Sequence, residues 1–316
     1  MMNESNKLPK TLQQAIKYFS DDLICIQFVA SLRWQDGTAI CPRCENDSTS
    51  FLSTRKIWKC KKCKKQFSVK VGTIFEDSAI GLDKWLCAIW MIVNCKNGVS
   101  SYEIHRAIGI TQKSAWFVLH RIRLAMETGT FEKLCGEVEV DETYIGGAAK
   151  NMHKTKRRKI VKGRGMDHKT AVMGMLSRTD KKVKAKVIRW TDTVTLNENI
   201  NEHIEAGSTV MTDGHGGYRK MSDEYGHQVI DHAVEYVRGN IHTNGIENFW
   251  SLLKRSIKGT YVSVEPHHLE KYVTEQTFRY NERKGNDQMR FLTAVGNIFG
   301  KRLTYKELIG YNFPCQ

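Results

Sequence analysis

The sequence predicts a mixed α/β protein in which two small modules, a zinc ribbon and a helix-turn-helix region, precede a larger domain of strands and helices. Three observations carry this. Two CxxC pairs stand with fifteen residues between them. A short helix, a glycine turn and a longer basic helix follow. From Gly136 onward, three β-rich runs, a helix, a further strand and then long helices succeed one another, the pattern of a sheet covered by helices.

A chain of 316 residues, 41% hydrophobic and 9% aromatic, can bury a core in each of two or three domains. Lys plus Arg number 49 against 34 Asp plus Glu, a formal net charge of +15, and such a field attracts polyanions. A merely basic soluble protein is the competing reading, and clustering of the charge decides between them. Met1 to Lys10 is polar, and the most apolar run, Trp85 to Val93, is too short to span a bilayer, so a cytoplasmic location is expected. Thiols stay reduced there, and the nine cysteines point to metal before disulfides.

Thr11 to Trp34 carries Leu12, Ile16, Phe19, Leu23, Ile26, Phe28 and Leu32 at helical spacing, which predicts one or two packing helices in an N-terminal segment over 1–36. Cys41, Cys44, Cys60 and Cys63 follow in a ribbon over 37–72. Each two-residue gap lets a tight turn aim both thiolates at one tetrahedral Zn2+, and the strand-like Phe51 to Trp58 brings the second pair back beside the first. Cys25, Cys87, Cys95, Cys135 and Cys315 lack partners at ligand spacing and are expected as small core residues. Lys and Arg crowd positions 55 to 65, with Trp58 and Phe67 interleaved, a surface suited either to phosphate or to solvent alone.

Over 80–130, Leu82 to Val93, Ser100 to Ala107 and Thr111 to Met126 read as helices, with Ser100 or Ser101 as a cap and Gly109 as the turn. The last bears Lys113, His120, Arg121 and Arg123, which suits a helix entering a major groove; a plain helical bundle fits the same pattern. Beyond Gly136, Glu137 to Ile145, Thr170 to Ser177, Val183 to Trp190 and Thr209 to Thr212 read as strands. Thr195 to Ile204 reads as a helix between them, and Asn244 to Lys258, Pro266 to Glu282 and Arg290 to Phe299 as helices after them. Lys150 to Lys169, dense in Lys and Arg, is expected as a long mobile loop.

Three acids stand at informative places. Asp141 lies inside an apolar strand run, where a carboxylate is costly unless it meets a cation; Glu139 shares its face and Glu142 points the other way. An edge strand with its polar face in water is the alternative. Asp213 ends the run Thr209 to Thr212, where α/β sheets hold ligands, though an Asp-Gly turn alone accounts for it. Glu247 follows Asn244 by three, as in a capping box, and Lys254 comes two turns later on the same face. If these carboxylates converge, they can hold two divalent ions, and oxygen ligands suit magnesium or manganese.

The stretches Thr11-Leu-Gln-Gln-Ala, Cys41-Pro-Arg-Cys, Gly72-Thr-Ile-Phe, Lys96-Asn-Gly-Val-Ser, Ala115-Trp through His120-Arg-Ile-Arg, Val140-Asp-Glu-Thr-Tyr-Ile-Gly-Gly, Thr212-Asp-Gly, His242-Thr-Asn-Gly-Ile-Glu-Asn-Phe-Trp-Ser-Leu-Leu-Lys-Arg and Phe278-Arg-Tyr-Asn together resemble the insertion-sequence transposases of the IS1595 type, also described as ISXO2-like. The resemblance implies a ribonuclease H-like domain over 135–300, followed by a tail over 301–316. It implies a DDE triad of Asp141, Asp213 and Glu247 holding Mg2+ or Mn2+, with Asn244 and His242 the alternatives at the third place. Lys254 matches the family's phosphate-contacting position, and Arg255, Asn244, Lys113, Arg121 and Arg123 are the further candidates for DNA contact. The implied activity is binding of double-stranded element ends, cleavage and strand transfer by a homo-oligomer. Two rival readings are a zinc-dependent DNA-binding regulator without catalysis and a nuclease that hydrolyses but does not join.

Overall fold

The computed structural model describes residues 8–127, 132–161, 168–219, 221–230 and 242–310. They fall into two compact units, one formed by residues up to Glu127 with those from Lys284 onward, the other by the chain between.

In the first unit, α1 (Leu12–Tyr18) and α2 (Asp22–Arg33) each begin at a polar cap. Thr11 accepts from Gln14 N and Asp21 from Leu23 N, which satisfies amides that a helix start leaves without partners. β1 (Thr49–Leu52), β2 (Ile57–Cys60) and β3 (Gln66–Phe67) form an antiparallel sheet. It is too small to bury much by itself, and aromatic rings supply its packing: Trp58 lies 5.0 Å from Trp34 and 4.9 Å from Phe51, centroid to centroid.

α3 (Leu82–Asn94) buries Trp85, Leu86, Ile89, Trp90, Ile92 and Val93, the all-round apolar surface of a central helix. α4 (Ser101–Ile108) opens with a capping box between Ser100 and Glu103 and closes at Gly109, whose φ of 64° is left-handed. α5 (Gln112–Ala125) starts at a Thr111 cap, and from Ala115 on most of its side chains are buried, Val118, Leu119, His120, Arg121, Ile122 and Arg123 among them.

The expectation that Arg121 and Arg123 reach DNA is therefore corrected. Arg121 is 4% exposed and donates to the carbonyls of Ile74, Glu76 and Leu303, while Arg123 is 1% exposed. A guanidinium whose donors serve buried carbonyls is structural. Lys113, on the first turn, is exposed.

The second unit is built on a five-stranded sheet, with strands β4 (Glu137–Ile145), β5 (Thr170–Ser177), β6 (Val183–Ile188), β7 (Thr209–Asp213) and β8 (Gly226–Ile230) in the order β6-β5-β4-β7-β8. β4, β5 and β6 are antiparallel; β7 lies parallel to β4, and β8 to β7. β8 escapes sequence reading because Gly226-His-Gln-Val-Ile is a mostly exposed strand without apolar alternation. Helix α6 (Lys154–Ile160) precedes β5. It corrects the expected loop over 150–169, since its run of long unbranched Lys and Arg is compatible with a helix; 162–167 lie outside the described residues.

Helix α7 (Thr193–His203) covers one face of the sheet, where Leu196 and Ile200 meet Val138, Val140, Met173 and Val210. On the other face, α8 (Asn244–Ser256) and α9 (Leu269–Asn281) bring Ile246, Phe249, Leu253 and Val273 onto Val172, Leu176 and Val183. This two-residue alternation into two cores is what a sheet covered on both sides requires.

The chain then returns to the first unit. In α10 (Asp287–Gly296), Phe291 packs 5.0 Å from Trp90 of α3, and a short α11 (Tyr305–Leu308) follows. The second unit thus ends at Arg283, short of the expected boundary at 300. Cys135 is exposed rather than a core residue, and Cys315 lies outside the described residues. Among the described residues, no helix is long and apolar enough to cross a membrane.

Candidate active site and cysteine centre

The parallel pairing of β4 with β7 runs to Glu139↔Met211. The same register, carried two residues on, sets Asp141 level with Asp213 beyond the last paired residues. β7 ends at Asp213 while β4 runs on to Ile145, and the carboxyl end of a parallel strand is where such sheets leave room for a ligand. Alternation sends Asp141 toward α8 and Glu142 toward the opposite face, where buried Tyr218 donates its phenol O–H to the Glu142 carboxylate. Despite leaving β4 on opposite faces, Asp141 and Glu142 each bring a carboxylate oxygen, with one from Asp213, to within 4.8 Å of one another.

Burial pushes the Asp141 carboxyl up to about 6; the nearby Asp213 and Glu247 add to the rise, and the Trp250 N–H opposes it. Burial likewise pushes Glu142 up to about 8 against the Tyr218 hydrogen bond, with Asp141 and Asp213 adding to the rise. Neighbouring acids that resist ionisation in this way would be relieved by a divalent cation, and an all-carboxylate donor set fits the hard ions magnesium and manganese.

The other wall is α8. Glu247, Trp250, Ser251 and Lys254 recur at helical spacing, and all four line a cleft of about 500 Å³ with Asp141, Glu142, Thr143 and Asp213. Trp250 Nε1 donates to Asp141 Oδ2 over 2.9 Å. The ring reaches that far because Gly174 lies opposite Asp141 on β5: a Cβ there would come within 2.6 Å of Trp250 Cη2.

The start of α8 differs from the expected capping box. Thr243 is its N-cap and makes no side-chain cap, and Asn244 is already helical. Glu139 caps the helix instead, from 107 residues away: its Oε2 accepts from Ile246 N at 3.0 Å. Arg178 holds the same carboxylate, with Nε 2.7 Å from Glu139 Oε1, and also donates to the His242 carbonyl at 2.7 Å. A Cβ on Gly245 would sit 2.8 Å from Glu139 Oε2, so only glycine admits so close a carboxylate. Glu139, with its side chain 2% exposed, thereby joins the strand of Asp141 to the helix of Glu247.

Of the acids expected to meet, Asp141, Asp213 and Glu247 share one cleft with Lys254. Glu247 stands outside the trio whose oxygens close to 4.8 Å, and Glu142, expected to point away, stands inside it. Asn244 and Arg255 are exposed and do not line the cleft, and His242 is engaged with Arg178. Sequence reasoning missed Trp250, Tyr218 and the Glu139–Arg178 pair. The isolated Gly174 in a strand was the available sign of a close approach.

In the first unit, Cys41, Cys44, Cys60 and Cys63 each offer a sulfur within 4.8 Å of the others. Cys41 and Cys63 are 3.7 Å apart and Cys44 and Cys60 3.6 Å. A tetrahedron with Zn–S bonds of ~2.3 Å has edges of about 3.8 Å, so the sulfurs fit one zinc ion. The backbone N–H of Cys63 leads the effects that hold Cys60 down to about 7, toward the thiolate that a metal needs.

Comparison with known proteins agrees with this architecture. Residues 133–281 match the ISXO2-like transposase domain, and residues 20–66 the transposase zinc-ribbon domain. A relative described as an uncharacterized protein in transposable element ISH50, from Halobacterium salinarum, is 25% identical over 252 residues, covering 76% of this chain and 84% of its own. With the ribbon and the transposase domain both matched, the chain is similar in both regions to the IS1595-type, ISXO2-like insertion-sequence transposases.

Proposed function

We propose that the protein is a DDE-type transposase that binds the double-stranded ends of a mobile element, cuts them in a metal-dependent reaction and joins the freed 3′-hydroxyl to target DNA. The gathering of Asp141, Asp213, Glu247 and Lys254 on one cleft, with Glu142 added, is the observation that carries it. The strand order β6-β5-β4-β7-β8, with helices on both faces, supports a ribonuclease H-like fold for this unit.

Asp141, Asp213 and Glu247 form the acidic triad, and Glu142 is a further oxygen ligand. Bound Mg2+ or Mn2+ supplies charge that activates the attacking oxygen and steadies the leaving one in an in-line displacement. Trp250 fixes the direction of the Asp141 carboxylate, and the Lys254 ammonium offsets phosphate charge beside the acids. In the first unit, the four cysteines hold a structural zinc, and α4, the Gly109 turn and α5 act as a helix-turn-helix. Its groove contact is limited to the first turn of α5, where Lys113 is exposed. Two ends have to be brought together, so a homo-oligomer acts, on cytoplasmic DNA.

The test is incubation with a duplex bearing an element end and Mg2+, with strand products resolved on a denaturing gel. Joined strands that disappear with Asp141→Asn, while DNA binding persists, are expected. Binding without nicking favours a regulator, and hydrolysis without joining favours a nuclease.

A further inference from the structure

A second cavity, of about 540 Å³, adjoins the acidic cleft, and Lys254 lines both. Its volume falls in the range of roughly 300–1,000 Å³ usual for ligand sites. Lys169, Lys254 and Lys258 put three cations on it, and among the described residues no acidic side chain lines it. Ile145, Ile257, Val262 and Val264 form the apolar part of the same wall. Inorganic phosphate would use only the cations. A base within a duplex keeps its faces stacked and cannot enter a concave space, whereas an unpaired nucleotide offers a phosphate and an uncovered base together.

The turn that shapes this wall is irregular. After α8 the chain makes a single π turn, Ile257–Tyr261, and then sets Val262 at φ 63° and ψ −55°. A β-branched residue at positive φ is strained, and π turns and backbone strain both concentrate at functional sites. Tyr261 anchors the turn by donating its O–H to the fully buried Glu275 of α9. Val262 is left 77% exposed, an apolar side chain held out at the rim of a cationic cavity.

We propose that this cavity takes one unpaired nucleotide of the DNA strand being cut, with its phosphate on Lys254, Lys258 and Lys169 and its base against Val262 and Ile257. The proposal rests on the acidic cleft being the place where DNA is cut.

Two duplexes of the same sequence test it, one blunt and one ending in a three-nucleotide single-stranded extension. Their binding to the full-length protein is measured by fluorescence anisotropy in Ca2+, and their cutting is followed separately in Mg2+. Lys258 and Val262 are both exposed, so Lys258→Glu and Val262→Ser leave the fold intact. Wild type is expected to prefer the extension roughly tenfold, Lys258→Glu and Val262→Ser to bring the ratio to about twofold or less, and Lys258→Arg to keep it. Wild type that cuts DNA but binds both duplexes alike, or a preference that survives Lys258→Glu and Val262→Ser, overturns the nucleotide site and leaves the cutting reaction standing. Wild type that neither binds nor cuts either duplex overturns the reading of the acidic cleft and this proposal with it.

Discussion

Trp250 on α8 donates its indole N–H to Asp141 Oδ2 on β4 over 2.9 Å, a bond between residues 109 positions apart in the chain. It ties the helix bearing Glu247 and Lys254 to the strand bearing the first acid. It also favours the ionised form of a carboxyl that burial pushes up to about 6. Trp250→Phe keeps a ring and removes the donor. The acid limb of the rate–pH profile is expected to move to higher pH, and the neutral-pH rate to fall roughly 10- to 100-fold, a barrier change of about 1.4–2.8 kcal/mol. Single-turnover strand cutting across pH measures both; an unshifted profile at full rate would mean the bond is idle.

Gly174 is the reason the ring fits. Its added Cβ would meet Trp250 at 2.6 Å and Ile246 Cδ1 at 2.8 Å, so an alanine must lever α8 away from the sheet. Gly174→Ala is expected to cost about 1–3 kcal/mol of stability, as overpacking does, and to slow cutting as well. Urea unfolding of the variant at wild-type midpoint would contradict this.

The raised carboxyls make the metal-free protein sensitive to pH. Folding keeps Glu142 protonated up to about 8 against an ordinary 4.5, so the native state holds a proton that the unfolded chain has released. Stability contributed in this way is lost as pH rises from 4.5 toward 8, and Asp141 acts with the same sign between 3.8 and about 6. Glu142→Gln removes the larger part. Its stability relative to wild type is expected to be near zero at low pH and to grow by roughly 1–3 kcal/mol above pH 8 without added divalent cations. Urea titrations of both proteins across pH read this difference; one that stays flat would contradict the burial of Glu142.

Arg121 and Lys113 separate packing from recognition on one helix. Arg121 serves the carbonyls of Ile74, Glu76 and Leu303 from inside the first unit. Arg121→Ala is therefore expected to lower stability by about 2–4 kcal/mol. Lys113→Ala is expected to leave the melting temperature unchanged and to weaken end-DNA binding with a shallower salt dependence. Melting curves and salt-dependent anisotropy decide; the opposite assignment of the two effects would sink it.

Much of this was legible in the sequence because it rests on local periodicity. The CxxC spacing, the serine cap before α4, the turn at Gly109 and the apolar runs of β4 and β5 all depend on near neighbours. Asp141 was readable as a carboxylate inside an apolar strand run, and Asp213 as one at a strand's end. Capping of α8 by Glu139 was not, since the partner is 107 residues away and Asn244 with Glu247 offered a plausible local substitute. Nor was the burial of Arg121, because a helix that supplies cations at groove-facing spacing looks the same whether its far end meets DNA or carbonyls. Glu142 followed the two-residue period faithfully, yet its carboxylate still comes within 4.8 Å of Asp141 and Asp213. Alternation predicts the face a side chain leaves from, not how far its carboxylate reaches.

Mn2+ binding to the full chain at pH 8, followed by electron paramagnetic resonance, tests most directly whether Asp141, Asp213 and Glu142 form one cation site. Wild type is expected to bind Mn2+, Asp141→Asn and Asp213→Asn each to lose that binding together with strand cutting, and Asn244→Ala to keep both. Mn2+ bound as tightly by the Asp141→Asn, Asp213→Asn double variant as by wild type would contradict it.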